Sequence, residues 1–145
     1  MNKKIMMALT LAAGFSAAQA RDTLLQIPLA DVLAMPEAQG KLDGSVKFYL
    51  AGQSTPKVIK TFGSNTSNQK TNGVGKSDDF GCKWAALSAL IAFQNSAKQH
   101  GANAVINMTS YYKKNETKST QTFDCHAGAM IIGVALKGDY AQVAE

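Results

Sequence analysis

The chain is poor in the residues from which most active sites are built. Its 145 residues include two cysteines, two histidines, one tryptophan and ten carboxylates. The cysteines, Cys82 and Cys125, make no C-x-x-C, and the histidines, His100 and His126, make no H-x-x-x-H. Neither spacing that gathers zinc ligands is therefore present. No two carboxylates stand out as a pair for acid–base work. Catalytic residues, a metal site and a cofactor are accordingly not expected. Acidic charge is also scarce: the formal net charge is +5, or +3 once Lys3 and Lys4 are set aside. So mild an excess does not call for nucleic acid or a membrane surface as partner. Long apolar runs are missing after residue 15, whereas a membrane-spanning helix takes about 20 apolar residues.

What is present begins at the N-terminus. Lys3 and Lys4 are followed by an almost uncharged apolar run from Ile5 to Phe15, and then by Ala18-Gln19-Ala20. Charged start, short apolar stretch and small-x-small site, in that order, read as a secretory signal peptide over residues 1–20 with cleavage after Ala20. No cysteine stands near the cleavage point, so no lipid anchor is expected. The mature chain is expected to begin at Arg21, in the periplasm. Both cysteines lie beyond that point, and an isolated pair in an oxidising compartment reads as a disulfide between Cys82 and Cys125.

Residues 21–145 read as one domain. Leu24 to Ile27 is a short apolar run, Pro28 opens a helical turn through Asp31 and Val32 to Met35, and Pro36 ends it. Ser45 to Ala51 and Lys57 to Phe62 alternate in polarity and flank Gly52-Gln53-Ser54-Thr55-Pro56, which predicts a hairpin. Residues 63–81, rich in Gly, Asn, Ser and Thr, predict a long exposed loop. A helix is predicted from about Lys83 to His100, with Ala86, Leu90, Phe93 and Ala97 on its core-facing stripe. Asp78 or Asp79 would cap its start, and Gly101 would stop it. Strands are predicted over Ala104 to Tyr112, Thr120 to Cys125 and Gly128 to Leu136. The last is central and buried on both faces, with Gly133 a bulge or site of close packing. The tail after Lys137 is expected to be weakly ordered. The fold class is α+β: one antiparallel sheet with one long helix packed on one face and one disulfide.

Several stretches resemble functional motifs. Gly75-Lys76-Ser77 looks like the end of a phosphate-binding loop, but G-x-x-x-x-G-K-[ST] requires glycine where Lys70 stands, and no strand is predicted ahead of it. Nucleotide binding is set aside. Asp124-Cys125-His126, with Cys82 and His100, carries metal-ligating atoms, but a disulfide would consume both thiolates and with them any cysteine nucleophile. Tyr111-Tyr112-Lys113-Lys114 with Lys118 interleaves aromatic rings and positive charge, as single-strand nucleic-acid surfaces do. Glu116 and Asp124 dilute it, and a half-buried strand ending in a solvated turn accounts for it. Trp84 reads as a packed ring near the disulfide and His100 as a helix-end residue.

The second half of the chain has a familiar order. "FGCKWAALSALIAFQNSAKQHGANAVINMTSYY" runs from a cysteine through an Ala/Leu-rich helix into Gly101-Ala102-Asn103-Ala104-Val105, and "FDCHAGAMIIGVALKG" follows. This resembles the YbjQ-like superfamily and the envelope-stress lipoprotein of the Rcs phosphorelay. It also resembles small exported bacterial proteins that carry the label "excinuclease ATPase subunit", a label at odds with the failed phosphate-loop pattern. The resemblance covers residues 80–138 and only loosely the N-terminal half. It implies an exported YbjQ-like domain at 21–145 and supports the Cys82–Cys125 bridge. Cytoplasmic members form rings, which makes a homo-oligomer an option. The lipoprotein's anchor and its further cysteines have no counterpart here.

The functional expectation is a non-enzymatic periplasmic domain that binds another envelope protein, in the manner of an envelope stress sensor. Residues 63–81 and the Tyr111–Lys118 turn are its expected contact surfaces, since loops on a rigid scaffold carry recognition. The alternative is a small-ligand or metal-binding periplasmic protein using His126, His100 and reduced cysteines.

Overall fold

A computed structural model describes residues 21–145; the reading of residues 1–20 as an export signal lies outside the described residues. The elements in chain order are β1 (Thr23–Pro28), α1 (Leu29–Leu33), a 3-10 turn (Pro36–Ala38), β2 (Lys47–Leu50) and β3 (Val58–Asn72). They are followed by α2 (Asp78–Gln99), β4 (Ala104–Tyr112), β5 (Asn115–Thr117), β6 (Thr122–Ala127) and β7 (Ile131–Val143). Seven strands make one curled sheet, and α2 lies on one face of it, giving the α+β architecture expected from the sequence. Every strand pairing is antiparallel except that of β2 with β4, which is parallel.

Strand β7 is central, as its apolar composition predicts. One of its edges takes β3 from Val143 back to Ile131. The other takes β6 at Ile132 and Gly133 and β4 from Leu136 to Ala141. Ile132, Val134, Leu136 and Tyr140 point to the helix side and are buried there with Leu87, Leu90 and Phe93. The Phe93 and Tyr140 rings meet edge to face with centroids 6.0 Å apart. The close packing expected at Gly133 occurs instead at Gly138. A Cβ there would stand 2.6 Å from Val105 Cγ1.

Helix α2 begins five residues earlier than the sequence suggested, at Asp78, and Ser77 rather than an aspartate caps it, its Oγ accepting from Phe80 N–H. Asp78 and Asp79 occupy the first turn, where negative charge suits the helix dipole. The predicted stripe of Ala86, Leu90, Phe93 and Ala97 is buried, and Ala85, Leu87 and Ala89 widen it. The helix gives way at Gly101, whose φ of +76° is easy only for glycine. Asn103 then ties the chain to the sheet: its amide donates to Val143 O and accepts from Val143 N–H.

Three sequence expectations are corrected. The hairpin between Ser45–Ala51 and Lys57–Phe62 does not form, because β2 and β3 are separated by β4 and β7. Ala51 N–H continues the β2–β4 ladder by donating to Met108 O. Gln53 accepts from Leu50 N–H and donates to Thr120 O, which turns the chain away. Residues 63–72 are not a loop but the greater part of β3. The tail after Lys137 is not loose: it is the second half of β7, with Tyr140, Ala141 and Val143 buried.

The sulfurs of Cys82 and Cys125 lie 2.06 Å apart, at disulfide distance, joining α2 to β6 across 43 residues. Closing a loop of that size stabilises a chain by about 4 kcal/mol through its unfolded state. Replacing both cysteines by alanine is therefore expected to lower the unfolding free energy by about 2–4 kcal/mol in urea titrations. Both thiols should accept an alkylating reagent only after reduction.

A second tie is electrostatic. The Asp43 carboxylate accepts from Lys98 Nζ and from Ser45 Oγ and N–H, and these bonds hold it well below its ordinary value of 3.8. A lowered carboxylate stabilises the fold above its unfolded value and loses that contribution as pH falls toward its folded one. The melting temperature should thus fall more steeply below about pH 4 in the parent than in Asp43→Asn. Parallel pH profiles would remove this role.

Candidate functional site

The two faces of the sheet differ sharply. The helix face is the apolar core. On the opposite face β3 presents Ser64, Thr66, Asn68, Lys70 and Asn72, all exposed, while Asn65, Ser67, Gln69 and Thr71 turn toward the helix. Ser67 is buried and its hydroxyl donates to Ala89 O in α2 at 3.1 Å. Next to β3 on the open face, β7 contributes Gly133 and Ala135, which pair with Lys70 and Asn68 and form a floor almost without side chains.

The β4–β5 hairpin rises beside this floor. Its turn is Lys113-Lys114, between the paired residues Tyr112 and Asn115. Both lysines hold positive φ, 50° and 64°. A two-residue turn of this hand matches strand twist but favours Asn-Gly, and side-chain-bearing residues there are strained by about 1–2 kcal/mol each. Each tyrosine carries a cation: Lys113 Nζ sits 5.3 Å from the Tyr112 ring and Lys137 Nζ 5.2 Å from that of Tyr111. The other neighbour of Tyr112 is His126, stacked at 3.5 Å and 14°. His126 Nδ1 is 3.1 Å from Asp22 Oδ1.

Two clefts open on this face. One, of about 300 Å³, is lined by residues that include Lys70, Tyr112, Lys113, His126, Asp22 and Gly133. The other, of about 310 Å³, includes Thr66, Asn68, Tyr111, Lys113, Lys114 and Ala135. Lys113 belongs to both, so they form one trough over Gly133 and Ala135. Two neighbouring cations are paired with carboxylates: Arg21 makes a two-bond contact with Asp78, and Lys137 lies 4.0 Å from Glu116; the Asp22 carboxylate lies beside the His126 ring. Among the described residues, Lys70, Lys113 and Lys114 meet no carboxylate within 4.0 Å.

The residues singled out in the sequence go to different places. Asp124 and His126 alternate with Cys125, which points into the core opposite Cys82, so the metal-ligating set is divided by the pleat. His100 caps α2, its Nδ1 2.8 Å from Ser96 O and its ring against Tyr140. Among the described residues no three His, Cys, Asp or Glu side chains converge. Gly75, Lys76 and Ser77 form the turn into α2, with Lys76 Nζ bonded to Thr71 Oγ1 and Ser77 spent on the cap. Trp84 lies between Phe80 and Lys41, whose Nζ is 4.5 Å above the ring. The Tyr111–Lys114 run does reach a surface with structure of its own.

The sequence reading missed Lys70 and Asp22, which pairing brings to the trough from distant strands. It also missed a signal in plain composition. From Gly44 to Ser77 there are five lysines (Lys47, Lys57, Lys60, Lys70 and Lys76) and no acidic residue. That stretch contains β3, the longest strand, which pairs with β7 on one edge only; among the described residues its other edge meets no strand. No protein-family model and no curated protein matches the chain. Among the described residues no helix is long and apolar enough to cross a membrane.

If the lysine turn is strained, relieving it should stabilise the protein. Lys113→Asn with Lys114→Gly is expected to raise the unfolding free energy by about 1–2 kcal/mol. An unchanged or lowered value in denaturant titration would mean that the turn stores no strain.

Proposed function

We propose that this chain is an exported, non-enzymatic binding domain of the YbjQ-like kind that docks an extended, acidic segment of another envelope protein along the free edge of β3. The observation that carries this reading is that edge. β3 is 15 residues long and has a row of backbone donors and acceptors left unpaired by strands on one side. Such an edge is a template for an added strand, in which main-chain hydrogen bonds supply affinity and side chains supply selectivity. The charge of the edge selects the occupant. With Lys57, Lys60 and Lys70 and no carboxylate, two β3 edges repel each other, whereas an acidic strand is attracted. The register shifts near Lys60 and Gly63 twist the start of the edge, a feature that discourages pairing with unselected strands.

Export is the second half of the proposal. The order of segments in residues 1–20 supports it, and so does a cysteine pair at disulfide distance, a bond found chiefly in oxidising compartments. Resemblance of residues 80–138 to exported stress-sensing relatives supports a signalling context. Protein recovered from periplasm should start at Arg21.

The test is a comparison of the parent with Lys57→Glu/Lys60→Glu in capture from an envelope extract, followed by hydrogen exchange on the recovered complex. The expected result is one partner held by the parent and lost by the variant, with new protection on β3 amides. A partner held equally by both, or protection elsewhere, would overturn the edge as the docking site. A dimer of the parent on its own, by light scattering and with β3 protected, would assign the edge to a second copy.

A further inference from the structure

We infer that the trough on the open face of the sheet is a binding site for a phosphate- or diphosphate-bearing ligand, held by Lys70, Lys113 and Lys114. This site shares Lys70 with the edge strand but does not rest on the docking reading. Three observations support it. The trough combines two adjoining clefts of about 300 and 310 Å³ that share Lys113 and whose linings include the buried Gly133 and Ala135. Its three lysines meet no carboxylate, whereas the nearby Arg21 and Lys137 are both engaged with one. The chain also holds two of those lysines in left-handed backbone conformations where glycine would sit more easily. Strain retained at a site that points two cations over one cleft accords with use of those cations.

The chemistry of the donors narrows the ligand. The one guanidinium lining the trough, Arg21, has its fork committed to Asp78 and Gly128 O, so no planar bidentate partner for a carboxylate remains. Lysines act as point charges with rotating donors, which suits the tetrahedral, doubly charged phosphate group. Lys113, with Lys70 in one cleft and Lys114 in the other, sets two ammonium groups in each, which matches a charge of two. Thr66 and Asn68 add neutral donors at the far end. The Tyr112 faces are already taken by His126 and Lys113, so ring stacking is not the means of recognition.

The experiment is calorimetric titration of the folded protein with inorganic pyrophosphate, and with citrate as a carboxylate control, at low salt. Saturable binding in the millimolar range or tighter is expected, with citrate markedly weaker. Lys70→Gln and Lys113→Gln should each weaken pyrophosphate at least about tenfold, whereas Lys47→Gln with Lys76→Gln, outside the trough, should leave it unchanged. Lys113 sits in the strained turn, so Lys70→Gln, in the middle of a strand, keeps the test independent of any change in the hairpin. Equal weakening by both sets would reduce the effect to net charge and overturn the site. Equal citrate affinity would overturn the phosphate assignment, and no saturable binding would overturn both. Phosphatidylcholine vesicles with and without phosphatidic acid then separate the sources. Lys113-dependent sedimentation with the acidic vesicles assigns a lipid headgroup, and binding of soluble pyrophosphate alone assigns a free phosphate ester.

Discussion

Everything in this fold hangs on β7 being bonded along both edges. A strand of 13 residues in the middle of a sheet has its backbone groups out of reach of water, and each one left unpaired would cost about 1–3 kcal/mol. β3 satisfies one edge over its whole length, but the other is divided between β6 and β4, which approach from different parts of the chain. β4 must then lie close to β7 at the end they share, where Ala104 pairs with Ala141. Gly138 permits that approach, since any Cβ there would overlap Val105. Asn103 extends it past the end of β4 by pairing its side-chain amide with Val143 as a backbone would. The helix then has one floor to lie on and is buried against Val134, Leu136 and Tyr140 of β7.

How far this could be read from the residues depends on whether polarity and structure agreed locally. They agreed in α2, where an alanine-rich stripe, a flanking acidic pair and Gly101 all indicate a helix and its end. They also agreed in the first half of β7, a nearly continuous apolar run of the kind buried on both faces. They disagreed in β3. Ser67 fills a buried position through a hydrogen bond to Ala89 O instead of apolar contact, and Asn65, Gln69 and Thr71 are only partly covered, so no alternation shows in the sequence. The same holds for Gly138-Asp139, which looks like a turn because the reason for the glycine lies in a neighbouring strand. The supposed hairpin failed for a related reason: two alternating segments with a good turn between them do not reveal that each has a better partner elsewhere.

The candidate surfaces were legible to the same degree. The interleaved tyrosines and lysines at 111–114 are adjacent in sequence and could be seen at once. That His126 stacks on Tyr112, or that Lys70 stands across the floor from Lys113, depends on strand register and is invisible to spacing. The division of Asp124, Cys125 and His126 follows from the two-residue period of a strand, which sends neighbours to opposite faces. Once the segment is a strand, a metal site from all three is geometrically foreclosed, whereas in a loop it would not have been.

The two proposed surfaces share a physical origin. The helix covers one face of the sheet; the other carries a small apolar cluster of Ala104, Ile106, Ala141 and Val143 with Tyr49 packed against it, and small, hydroxylic, aromatic and basic residues around the trough. The cysteine pair and the core hold the covered face together, so the open face and the β3 edge need contribute little to stability. They are free to hold features that a stability-driven sequence would discard: a long unpaired edge, lysines without counterions, and a turn of the wrong composition. Each of these has a cost in the isolated domain, through exposed backbone groups, mutual repulsion or backbone strain. A strand laid along the edge would relieve the first, and an anion in the trough would relieve the second. The two sites also meet at Lys70, whose backbone belongs to the edge strand and whose ammonium belongs to the trough. An acidic strand on the edge and an anion in the trough would therefore draw on the same positive charge, and occupation of either should weaken the attraction for the other.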